Sequence, residues 1–484
     1  MNKILTNIYQ TDWLASTPVF YNKLTNEVSY KMLDVIDWAN FDWDFDGLKN
    51  YLEFGYCVFE RTPIKNVYFL RHSSILTQNI DINGKKTIHI QYLDDPIFKY
   101  IEKTSTLDDV MNSMIKHTEE FEKNRDKSKR LLLPLSGGYD SRFLASLIKD
   151  KASIDAYTYG LTKTKDCFEL ARAKEVAKRL KINHNIIKLT DFNNNDYCEK
   201  AFDQYGLQMP LHSMYHMEFY DKIKKINKDY IVVSGSVGDW FSGEKINLDI
   251  PKNSHEFNKI FFNHGISIPR EFIKYINNNN GITEEYYQNY SHLIKSNRKF
   301  MRIAMFRNRI NLSGYIFSTA SQYFPCYTPF YDIDIAFCQL NLPDNLSLNR
   351  KWQFDYFKSV NLNIESDTNL KIKNLNRLDH LVIQSSFEIE KQLLDVNKLQ
   401  QFVNLERLNW INEQLVWLKN TKLISIEDFL LNIDFSNPFI PKKIHKFANR
   451  KLSKIFPKLN IAIKAFNEWT VLKPIEYIIN LQKK

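Results

Sequence analysis

Glycine is scarce in this chain, 13 in 484 residues, so any clustered pair carries information. Cysteine is also sparse. Cys57, Cys167, Cys198, Cys326 and Cys338 are odd in number and scattered, and no CxxC occurs. That excludes a disulfide framework or a cysteine zinc site and points to a reducing compartment. There is no apolar run of the ~18 residues that a membrane-spanning helix needs. The opening Met1-Asn2-Lys3-Ile4-Leu5 lacks the apolar stretch of a signal peptide, so a cytoplasmic protein with no integral membrane segment is expected. No internal repeat is present. The excess positive charge is mild, +10 over the whole length. It suits an anionic ligand and does not imply nucleic acid. The densest basic run, from Lys442 to Lys454, has helical spacing and reads as a solvated face.

What is present is an ordinary globular composition, 44% hydrophobic and 25% charged, with aromatics high at 14%. Residues 1 to about 115 mix short β-like runs with turns. Val67–Leu70 and Thr87–Ile90 are examples, and Asn83-Gly84 marks a hairpin turn. The spacing of Leu107 to Asn124 predicts an amphipathic helix, and Lys123 to Lys129 a linker. From Arg130 the pattern alternates. Strands are expected at Leu131–Leu135, Ile154–Tyr159, Asn185–Leu189 and Tyr230–Ser234, with helices at Ser141–Lys149 and Glu169–Leu180. Such alternation implies a parallel sheet wrapped by helices. Beyond about residue 255 the chain reads as mainly helical.

The strongest signal is Ser136-Gly137-Gly138-Tyr139-Asp140-Ser141, directly after an apolar strand and before a helix. Two glycines allow a sharp turn and close approach to an anion. The following helix offers unpaired N–H groups and a positive dipole end. Ser136 and Ser141 add hydroxyls. Asp140 would be repelled by phosphate unless a divalent cation lay between them, so the pattern predicts Mg²⁺. It is neither a Walker A loop nor a dinucleotide fingerprint.

SGGxDS in this context resembles the PP-loop of the ATP pyrophosphatases, which split ATP between its α and β phosphates. Further stretches are similar to the asparagine synthetase family. The helix Glu169–Leu180, followed by His184, has that family's spacing, with Ala173, Val176, Ala177 and Leu180 forming one apolar stripe. Ser234-Gly235-Ser236-Val237-Gly238-Asp239 resembles its second ATP-site motif, which places Asp239 on a metal-holding aspartate beside Asp140. Ser236 stands where the family has a glutamate, and Trp240 where it has a second acid, so the acceptor chemistry is expected to differ from asparagine synthesis. A serine can hydrogen-bond a substrate there but cannot act as a carboxylate base. Thr328-Pro329-Phe330-Tyr331-Asp332, Leu342-Pro343 and Lys351 resemble a third stretch. Counting onward in register places Lys371, with Lys373 as fallback, on the lysine that stabilises pyrophosphate and the oxyanion. His184 and Asp332 are read as structural. The resemblance also sets the adenine against backbone at Pro134, Leu135, Tyr159, Ser234 and Gly235.

The fold implied is an α/β PP-loop (HUP-like) domain over 119–385, after a small β-rich segment over 1–118 and before a helical extension over 386–484. Leu48 to Leu70 resembles the end of the family's glutaminase domain, but the chain begins Met1-Asn2 rather than Met-Cys. A shortened segment without glutaminase activity is therefore expected. The implied reaction adenylates a small-molecule carboxylate with ATP and Mg²⁺, then forms an amide with ammonia or an amine, and a homodimer is compatible with it. Polysaccharide or natural-product assembly would suit it. Asparagine synthesis itself and a non-catalytic nucleotide-binding descendant are the alternatives. A tRNA-modifying relative is disfavoured, since thiolation cysteines and clustered RNA-binding basics are missing.

Overall fold

The structure, a computed structural model, describes residues 5–160, 168–192, 194–243, 249–260, 266–274, 281–365, 392–420 and 442–483. The N-terminal segment carries β1 (Leu5–Thr11), β2 (Phe20–Asn22), β3 (Val28–Ser29), β4 (Val67–Phe69), β5 (Ser74–Ile80) and β6 (Lys86–Tyr92). They form two three-stranded antiparallel sheets, β1-β5-β6 and β3-β2-β4. The turn at Asn83-Gly84 joins β5 to β6, as its residue types require.

A parallel five-stranded sheet follows: β7 (Arg130–Pro134), β8 (Ile154–Gly160), β9 (Asn183–Lys188), β10 (Tyr230–Val233) and β11 (Cys326–Tyr327). Its order is β11-β10-β7-β8-β9. Side chains alternate between two cores, as the two-residue period of a strand demands. Leu131, Leu133, Ile154, Ala156, Ile231 and Val233 enter one core, where Ala173, Val176 and Ala177 of the helix Phe168–Leu180 meet them. Leu132, Tyr157, Tyr159, Tyr230 and Val232 enter the other. Burial on both faces explains why these strands read as continuous apolar runs.

The helix expected from Leu107 to Asn124 spans those residues, and Thr106 and Asp109 close a capping box at its start. The helix after the glycine pair runs Tyr139–Leu147, two residues earlier than expected, because Gly138 is itself the N-cap. β9 is likewise shifted toward its start. The sequence did not single out β1, β2, β3 or β11. β1 alternates weakly, and β11 is two residues between Pro325 and Pro329, created by pairing with Val232 and Val233 rather than by its own pattern.

The N-terminal and C-terminal segments share the larger core with the sheet domain. Trp13 Nε1 donates to the Tyr331 carbonyl at 2.8 Å, and the Tyr51 hydroxyl donates to the Val471 carbonyl at 3.1 Å. The C-terminal helix Lys442–Leu481 contains the expected basic run; it buries Trp469 and pairs Glu468 with Arg407 of the helix Leu405–Asn420. Among the described residues no helix is long and apolar enough to cross a membrane.

Candidate active site

The strand order places a switch point between β7 and β10, where successive connections leave in opposite directions. In such sheets the crevice beyond the carboxyl ends of those two strands is the natural ligand site. A cavity of about 360 Å³ lies there. Pro134, Leu135, Ser136, Gly138, Asp140 and Ser141 line it from the β7 side. Ser234, Gly235 and Ser236 line it from the β10 side, and Tyr159 from β8.

The two loops meet without room for a side chain. A Cβ on Gly235 would come within 2.6 Å of the Ser141 nitrogen and 2.8 Å of the Asp140 carbonyl carbon. Both are backbone atoms in a helix start and cannot step aside. Gly235→Ala is therefore expected to destabilise the protein by about 1–3 kcal/mol, measured by denaturant unfolding. An unchanged midpoint would show that the loops have slack. Gly137 has φ +71° and lies against the backbone of Arg172 and Ala173, so a side chain is excluded there by both conformation and space.

No side chain caps the helix Tyr139–Leu147, which leaves its first amides for a ligand. Arg142 holds the loop from beneath. Its guanidinium is fully buried and donates to the Gly137 carbonyl at 2.6 Å, to the Leu362 carbonyl at 3.2 Å and to both oxygens of Glu365. Thr158 donates to the Leu135 carbonyl at 2.5 Å and is itself bonded to His184 Nε2, which accounts for that histidine structurally. With these carbonyls engaged, the loop is positioned by bonds behind the cavity. The Ser141 and Ser236 hydroxyl oxygens are buried and have no hydrogen-bond partner among the described residues. Buried polar groups left so are rare unless a ligand or water completes them.

Asp140 and Asp239 come from the two strand ends and are close enough to interact. Burial pushes the Asp140 carboxyl up to about 6; Arg350 opposes the rise and the charge of Asp239 adds to it. Gly238 keeps space beside Asp140, since a Cβ there would fall 2.8 Å from the carboxyl carbon. Val237 precedes it at φ 63°, an uncommon conformation for a β-branched residue and one that fixes where Asp239 projects.

Arg350 and Gln353 were not foreseen. Arg350 Nη1 and Gln353 Nε2 each lie 3.4 Å from the Asp140 carboxylate. Two consecutive left-handed residues, Asn349 and Arg350, turn the chain toward it. The only trace in the sequence was the adjacent Lys351, whose side chain is over half exposed and pairs with Asp355 at 3.3 Å. Lys371 and Lys373 lie outside the described residues. Gly137 and Asp239 border the cavity without lining it. Asp332 caps the helix Ile333–Leu340 through the amides of Asp334 and Ile335. The far wall is aromatic: Tyr215, His216, Phe219 and Tyr220 of the helix Met214–Ile226. Their clustering is visible in the sequence, but nothing in it says what they face.

Residues 126–353, a little under half of the chain, match the asparagine synthase family. Among solved structures, an NH3-dependent NAD synthetase from Campylobacter jejuni subsp. jejuni NCTC 11168, in complex with the nitrate ion, aligns over 44% of this chain and 96% of its own, at 17% identity. Its TM-score of 0.24 is too low to support any conclusion about this chain. No curated protein matches.

Proposed function

Taking residues 126–353 as an asparagine synthase domain, of an ATP-using ligase family, we propose that the chain adenylates a substrate carboxylate and converts the acyl-adenylate to an amide. One observation carries this reading. At the switch point of the sheet, two carboxylates from different strand ends converge beside a glycine turn with an uncapped helix start.

In the first step a carboxylate oxygen attacks the α-phosphorus of ATP and the bond to the β-phosphate oxygen breaks. Negative charge grows on the departing pyrophosphate. The amides at the start of Tyr139–Leu147 and the hydroxyls of Ser136 and Ser141 are set to receive it. In the second step ammonia or an amine attacks the acyl carbon, loses a proton, and AMP departs with the bonding pair. The backbone at Leu135, Ser234 and Gly235 would hold the adenine, with Tyr159 and the aromatic wall beside it. Ser236 would hydrogen-bond the acyl substrate. Lys351 and Lys371 carry the family's lysine roles in this proposal, Lys371 on the pyrophosphate. Catalysis is then mainly positioning and charge stabilisation.

The residues present fit Mg²⁺. Asp140 and Asp239 repel each other without a cation, and Gly238 leaves space at the Asp140 carboxylate. Among the described residues no group of three or more His, Cys, Asp or Glu could hold a metal ion. Further ligands would come from phosphate oxygens and water, a set that suits Mg²⁺. When bound, Mg²⁺ neutralises phosphate charge that the basic side chains alone would leave.

The test is exchange of labelled pyrophosphate into ATP across a panel of carboxylates. Exchange that requires one class of acid, with AMP as the nucleotide product, is the expected result. ADP and inorganic phosphate as products, or no exchange with any acid, would overturn the proposal.

A further inference from the structure

The N-terminal segment and the helix Arg298–Ser313 enclose a second cavity, of about 280 Å³. One wall is aromatic, built from Phe69, Phe98, Tyr286, Tyr290 and Phe300. The other carries charge. Arg307 there is committed to Asp95, which it grips through two bonds of 2.6 and 2.9 Å. His72 is neutral, since burial, reinforced by Arg307, drives its pKa down to about 3.

Glu60, Arg71 and Asp94 remain, and Asp94 is exposed where the other two are half-buried. Glu60 makes no side-chain hydrogen bond among the described residues; burial pushes its carboxyl up while Arg71 and Lys23 pull it down. Arg71 rests over the Tyr92 ring at 4.0 Å, and its Nε is buried with no partner among the described residues. Opposite charges thus face one cavity without bonding each other. The Arg71 Nε, buried without a partner among the described residues, is unfavourably placed unless something completes it. The chain is also bent to aim them: Ala15, Phe59, Glu60 and Ser73, on or beside the lining, all adopt positive φ, between 50° and 62°. Such strain persists where the surrounding fold over-determines it.

We propose that this cavity binds a free α-amino acid with an apolar or aromatic side chain. Its ammonium would sit on Glu60, its carboxylate on the Arg71 guanidinium, and its side chain against the rings. The volume lies at the lower end of small-molecule sites, which suits one amino acid. An amine alone would leave Arg71 unbonded, and a carboxylic acid alone would leave Glu60 so. The site stands apart from the cavity at the sheet and does not depend on what that cavity binds.

Calorimetry with three ligands on the unmodified protein decides the matter: phenylalanine, 2-phenylethylamine lacking the carboxylate, and 3-phenylpropanoate lacking the amine. Phenylalanine is expected to bind about tenfold or more tighter than either. Glu60→Gln is expected to erase its advantage over the acid, and Arg71→Met its advantage over the amine, with the unfolding midpoint confirming that each variant is folded. No binding of phenylalanine, tyrosine or leucine at millimolar concentration would overturn the assignment. Equal binding of the three probes, or unchanged selectivity in folded variants, would do so too.

Discussion

Asp140→Asn is expected to lower pyrophosphate exchange by about a thousandfold and, in the metal-free protein, to raise stability. The activity loss follows from the charge that the substitution removes at the centre where phosphate charge is handled. The gain follows from linkage. The Asp140 carboxyl has an ordinary value of 3.8, and burial carries it to about 6 in the folded protein. The folded state therefore binds the proton more tightly than the unfolded state. Its contribution to stability is fully present below about pH 4 and is lost as pH rises through about 6. Above that, holding Asp140 ionised costs about 2–3 kcal/mol. Asparagine carries no such burden. Denaturant unfolding in a chelator should show the variant more stable than the parent at pH 8 and equal to it at pH 4. A variant no more stable than the parent at pH 8 would mean that the carboxylate is already compensated in the free protein. The outcome would then argue against a site held ready for a cation.

Arg142→Met should be the most destabilising single change in this domain, at about 3–5 kcal/mol. The guanidinium is fully buried, between the rings of Tyr139 and Phe357 at 5.3 and 4.7 Å from its carbon. Methionine would fill much of the volume and keep the ring contacts. It would strand the Glu365 carboxylate and release the carbonyls of Gly137 and Leu362. Arg142→Lys separates charge from geometry, because one ammonium cannot serve two carbonyls and a carboxylate in a plane. The lysine variant is expected to recover part of the stability and little of the exchange activity, since the Gly137 carbonyl would no longer be fixed. Denaturant unfolding with exchange rates measured on the same samples checks this. A loss below about 1 kcal/mol for Arg142→Met would show that the loop is held by its glycines alone.

Local chemistry made much of this protein legible. The alternation of Leu131, Leu132 and Leu133 between two cores is a property of a strand buried on both faces. The Ala173, Val176, Ala177 stripe is a helix period. Ser136 to Ser141 is a loop whose residue types admit few conformations, so its place between strand and helix could be read directly. Asp332 took a structural role because a carboxylate just before a helix accepts from its first amides, whereas His184 bonds Thr158 across to the neighbouring strand.

Arg350 is different. It meets Asp140 across 210 positions, and no residue pattern links them. The two left-handed residues that turn it inward are asparagine and arginine, neither of which announces such a bend. β11 exists only because β10 offers it an edge. The aromatic wall at Tyr215 to Tyr220 and the cavity holding Glu60 and Arg71 arise where segments far apart in the chain come together. The sequence by itself determined the glycine turn, the parallel strands around it and the acids that follow, because those depend on backbone conformation and short periods. Which groups face those acids, and what else the molecule encloses, was decided by tertiary packing, because close contact between distant segments leaves no local periodicity to read.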